Sequence, residues 1–90
     1  MTNFFGNIAF ETATAIEQLS RLAYELRENR RTVLRFHEVE DETALLQKIQ
    51  AGEVAEHPAY EHYLAARILA DTRETVRTAL AECLKEANRK

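Results

Sequence analysis

The sequence predicts an all-α fold: a long antiparallel helical hairpin with a short connecting helix, dimerising into a four-helix bundle. Three observations predict it. Gly6, Gly52 and Pro58 are the only Gly and Pro residues, which leaves residues 7–51 and 59–90 without a helix breaker. Ala, Leu, Glu, Arg and Gln, all strong helix formers, dominate both stretches. Within each stretch the apolar residues recur at helical rather than alternating spacing.

The elements follow in order. The first helix is expected over residues 7–38, with Asn7 or Thr12 as its cap. Ile8, Thr12, Ala15, Ile16, Leu19, Leu22, Ala23 and Leu26 share one stripe. Val33, Leu34 and His37 stay in phase with it, although Arg30 interrupts the apolar face. Residues 32–39 also carry β-branched and aromatic side chains, so a frayed or extended segment is the competing reading there. Glu40-Asp41-Glu42-Thr43 reads as a turn into a short helix over 42–51. Asp41 is placed to accept from a free N–H, and Glu42 suits the positive end of the helix. Leu45, Leu46 and Ile49 give this helix its apolar face, and Gly52 is the expected left-handed cap. His57-Pro58 opens the last helix, over 58–88, because Pro is tolerated at the first helical position. Its stripe is read as Ala65, Leu69, Thr72, Val76, Leu80, Cys83, Leu84 and Ala87.

One domain of 90 residues is expected, residues 1–90. Its core material is thin, because 14 of the apolar residues are Ala. Two helices leave half of each stripe wet, and a second hairpin is the usual remedy. A homodimer is therefore expected. A flatter monomer, with the short helix over the stripe, is the alternative.

Composition excludes several classes. Leu, Ile, Val and Phe number 22, too many for a disordered polar chain. No apolar run approaches the roughly 20 residues of a membrane span, so no membrane is expected as a partner. Residues 1–6 lack the basic and apolar regions of a secretion signal. Phe4 and Phe5 are read as pins holding the N-terminus to the bundle. One Cys excludes an internal disulfide. A cytoplasmic protein is the expectation.

Charge is uneven. Residues 38–62 carry one basic and seven acidic groups. Such an acidic middle repels phosphate, so nucleic acid is disfavoured as a partner. Arg27, Arg30, Arg31 and Arg35 form a local basic cluster, read as a solvated helix end that pairs with nearby carboxylates. The first half of the last helix is apolar almost all round, with Tyr60, Tyr63, Leu64, Ile68 and Leu69. Phe10, Ala13 and Tyr24 also lie away from the main stripe.

These features point to a small interaction or regulatory protein without intrinsic catalysis. Its expected contact residues are Phe36, Tyr60, Tyr63 and Arg67, with Glu38 and Glu42 supplying charge that complements a basic patch on a protein partner. No cofactor is expected in this reading. The alternative is a metal-handling bundle in which His57, Glu61 and His62 hold iron or zinc, since all three His lie among the carboxylates. The Glu-x-x-His spacing of helix-bundle di-iron sites is absent. His57 otherwise reads as a cap residue beside Pro58, and His62 as a hydrogen-bonded boundary residue. Cys83 lies on an apolar stripe, where thiol ionisation is disfavoured, and no Gly-rich phosphate loop is present.

Overall fold

A computed structural model describes the backbone of residues 2–89 and the side chains of residues 10–89. Among these residues there are three helices and no strand: α1 (Thr2–Phe36), α2 (Glu42–Gln50) and α3 (Glu56–Asn88). Helices α1 and α3 lie along each other, and α2 packs on α3. The molecule is a rod of 65 × 16 × 15 Å. Its radius of gyration is 18.5 Å, against about 12 Å for a compact domain of this length.

The helix ends have local causes. Helix α1 begins before the expected residue 7 and takes Gly6 into its interior, so that glycine is not a breaker here. The side chains of Phe4, Phe5, Asn7 and Ile8, read above as pins, a cap and part of the stripe, lie outside the described residues. Helix α1 stops at Phe36, two residues before the expected end, so most of the ambiguous 32–39 segment is helical. Its end is a Schellman closure: Val39 N–H bonds Leu34 O at 3.1 Å and Glu38 N–H bonds Arg35 O at 2.9 Å. Glu38 occupies the left-handed position of that closure, with φ 58°.

Helix α2 starts on Asp41, whose Oδ1 accepts from Ala44 N–H at 2.8 Å. It ends in a second Schellman closure through Gly52, with φ 76°, in the role the sequence suggested. In α3, His57 keeps an extended backbone (φ −110°, ψ 126°), and the regular helix runs from Pro58.

The two closures differ in their central residue. A side chain in the left-handed region costs about 1–2 kcal/mol, part of which glycine gives back through its freer unfolded chain. Glu38→Gly is therefore expected to stabilise the protein by roughly 0.5–1 kcal/mol. Urea melts of the two proteins at equal concentration check this, and an unchanged or lowered midpoint counts against it.

Packing along the hairpin follows a seven-residue repeat. On α1, two inward columns are Thr12, Leu19, Leu26, Val33 and Ile16, Ala23, Arg30, His37. On α3 they are Ala59, Ala66, Arg73, Leu80 and His62, Leu69, Val76, Cys83. A strict heptad is the pattern of helices wound about each other. It also corrects the expected stripe of α3. Thr72, Leu84 and Ala87 are exposed, because a stripe drawn at 100° per residue drifts off a heptad seam by about 20° per repeat. Leu22 leaves the α1 seam in the same way and is 41% exposed.

The core is small and lies at one end. Leu34, Leu45 and Ala66 form it, and Val33, Val39, Ile49 and Tyr63 pack around it. Leu45, from α2, is the largest fully buried side chain among the described residues. On the flank of the seam away from Arg30 and Leu34, which face α2, run two further columns. Ala15, Leu22, Asn29 and Phe36 form the one on α1, and Pro58, Ala65, Thr72, Ala79 and Glu86 the one on α3; among these residues only Glu86, at the free tip, is charged.

Candidate functional site

The end of the hairpin that carries α2 collects most of the chemistry-bearing residues. Arg30 is half-buried, and its guanidinium grips the Glu42 carboxylate through two N–H groups, Nη2 to Oε1 at 2.7 Å. That bond holds the Glu42 carboxyl below the usual carboxylate range. The residue that breaks the apolar face of α1 is thus the residue that ties α2 to the hairpin. Lys48 Nζ donates to His37 O at 2.9 Å, a second tie, from α2 to the end of α1.

His37 and His62 meet across the seam, Nε2 to Nδ1 at 2.8 Å, one ring donating and the other accepting. Their positions end the inward columns of α1 and begin one on α3, so the heptad itself brings them together. His37 is buried, and burial, with His62 and Lys48 nearby, pushes its pKa below the ordinary value. Phe36 stands edge-on to both rings, with centroids at 5.0 and 5.8 Å. Despite those contacts Phe36 is 72% exposed.

His57 does not join this pair. Its Nδ1 bonds Glu61 Oε2 at 2.7 Å on the solvent side of α3. The Glu61 carboxylate raises the His57 pKa, and the imidazole in turn holds the Glu61 carboxyl low. His57 therefore makes no side-chain cap for α3. His57, Glu61 and His62 do not form the expected three-ligand set. Position 62 is one residue, about 100°, around the helix from 61, so His62 turns to the seam while the other two turn to water. Among the described residues no group of three or more His, Cys, Asp or Glu side chains is placed to hold a metal ion.

The expected contact residues divide. Tyr60 is 41% exposed and stacks on Tyr63 at 5.9 Å, while Tyr63 also packs against the core cluster. The Arg67 guanidinium lies 6.0 Å from the Tyr63 ring centroid and is itself exposed. Leu64 continues the exposed line one turn beyond Tyr60. Glu38 is exposed, whereas Glu42 is turned inward and neutralised by Arg30. The free negative charge therefore sits on Glu38, Glu40, Asp41, Glu53 and Glu56, all exposed around the two turns. A groove of about 450 Å³ opens among these turns, between Phe36, Glu38, Lys48, Val54 and Pro58.

Fold and site together define a small all-α protein: a heptad-paired hairpin clasped at one end by a short helix. Residues 11–88 match the model of the Uncharacterized protein MJ0235 family, and the chain belongs to that family. No curated protein and no solved structure matches the chain. Among the described residues no helix is long and apolar enough to cross a membrane.

Proposed function

We propose that the chain is a cytoplasmic interaction module, working as a homodimer and by binding rather than by intrinsic catalysis. The observation that carries this reading is the surface of the clasped end. Tyr60, Leu64 and Arg67 present apolar, aromatic and cationic groups side by side. Beside them the turns hold exposed carboxylates, including Glu38, Glu40 and Asp41, which no cation among the described residues pairs with in the way Arg30 pairs with Glu42. A protein with a basic patch around an apolar anchor fits such a surface, and the field would speed its encounter.

The test uses three variants, Tyr60→Ala, Leu64→Ala and Glu38→Lys, against the wild type. Each retains the core, so circular dichroism should be unchanged. Binding of Arg- and Leu-rich peptides is then measured at low and high salt. The expected result is wild-type binding that weakens with salt and is reduced at least tenfold by the combined variants. Salt-independent binding, or binding indifferent to all three substitutions, would remove this surface from consideration.

A further inference from the structure

The homodimer of the preceding reading has a definite geometry, and the following rests on that reading. We infer that two copies pack antiparallel through the uncharged flank, the Ala15-to-Phe36 column of α1 and the Ala65-to-Ala79 column of α3, with each α2 on the outside.

Surface area calls for an occupant. The chain exposes 6642 Å², whereas a compact monomer of this mass exposes about 5,400 Å². The excess of about 1,200 Å² exceeds the roughly 800 Å² that each partner buries in a standard interface. Between Ala15 and Phe36 and between Ala65 and Ala79 the flank columns set no ionised group against a partner, and so avoid its large desolvation cost; Glu86 lies beyond these bounds. The opposite flank is less suitable, because Arg27 and Arg77 are exposed in its columns in mid-rod and α2 occupies one end of it.

Charge and size then fix the orientation. Residues 28–71, the clasped end, carry 5 basic and 9 acidic groups, and the remainder carries 7 and 6. A parallel dimer sets two acidic ends side by side, whereas an antiparallel one sets each against a slightly basic end. Size agrees. Phe36 is the largest and most exposed apolar side chain of the α1 column, Leu22 sits in its middle, and at the far end of the same flank stand Ala15 and Ala79. Antiparallel packing seats each Phe36 over small residues, whereas parallel packing opposes Phe36 to itself. Phe36 then belongs to the seam between copies.

Three measurements separate the possibilities. Light scattering should give twice the chain mass of 10.4 kDa; a monomer overturns the homodimer reading, and this geometry with it. Leu22→Arg, in the middle of the flank, should give a helical monomer, while Tyr24→Arg, on the other flank, should leave the dimer intact. The reverse pattern overturns the chosen face and leaves the dimer standing. Orientation is read by oxidation of Phe36→Cys, which should produce a covalent dimer through Cys83 of the second copy. Within one chain the two sites are about 30 Å apart, since Phe36 lies beside His62 and α3 rises about 1.5 Å per residue, far beyond disulfide reach. Phe36→Cys with Cys83→Ser should not cross-link, and neither should the wild type. Cross-linking of either one means like residues meet, which overturns the antiparallel arrangement alone. A dimer in which Phe36→Cys also fails to link overturns it equally.

Discussion

Leu45→Ala is expected to cost about 3 kcal/mol, by lost transfer free energy and by the cavity left behind. Leu45 has no exposed surface, and it joins α2 to Leu34 of α1 and Ala66 of α3. Its neighbours Leu34, Val33, Val39, Ile49 and Tyr63 are held on three packed elements, so they close the space only in part. For a domain of this size the melting temperature should fall by roughly 15 °C. Thermal and urea melts at fixed protein concentration check the expectation. Fixed concentration matters because a dimer gains apparent stability by mass action. A loss below about 1 kcal/mol would show that α2 is a peripheral ornament and not the clasp of the hairpin.

The second large effect is expected at Arg30 and Glu42. Their side chains are 27% and 16% exposed, buried enough that losing one partner strands the other. Glu42→Gln keeps the shape and removes the charge, and should cost about 2 kcal/mol. Replacing both together, Arg30→Met with Glu42→Leu, should recover much of that loss, because no charge is then left unpaired. The same pair sets an acid limit. The Glu42 carboxyl titrates lower in the folded chain than in the unfolded one. At falling pH the unfolded state therefore takes up the proton first, and stability drops as pH passes down through the carboxylate range. That acid loss should be smaller in Glu42→Gln. An identical pH profile for wild type and variant would contradict the role given to this pair.

Much of the fold was legible because its signals are local. Gly52 announces a left-handed closure by being Gly, and Asp41 announces a helix start by being Asp before a helical run. Glu38 gives no such signal, although it holds the same backbone geometry as Gly52. Nothing in a glutamate marks a positive φ, so the end of α1 was misplaced by two residues. The α3 stripe was read at the period of a straight helix, whereas the pair is wound on a heptad, so Thr72, Leu84 and Ala87 were assigned to the wrong side. The site was less legible for a different reason. Arg30 and Glu42 are 12 residues apart, and His37 and His62 are 25 apart. Each pair is created by the reversal of the chain and by the position of α2, which periodicity does not encode. Glu42 and Tyr63 were therefore counted as free surface, although one is paired with Arg30 and the other packs against the core. The heptad did hold a clue to the histidines. His37 lies seven residues beyond Arg30, and His62 lies seven before Leu69.

The one-ended clasp has a consequence for how the molecule opens. The buried cluster, the Arg30–Glu42 pair, the Lys48 tie and the imidazole pair all lie within the same third of the rod. Toward the other tip the seam is held by Ile16, Leu19, Leu80 and Cys83, none of them fully covered. The free energy of local opening therefore rises steadily along the rod. The free tips unzip one heptad layer at a time, and each layer exposes little apolar surface. The clasped end separates only when the whole chain unfolds. Amide protons record such a gradient directly: exchange is fast at the tips and slows toward Leu34 and Ala66, in the manner of tweezers whose arms flex while the hinge stays shut.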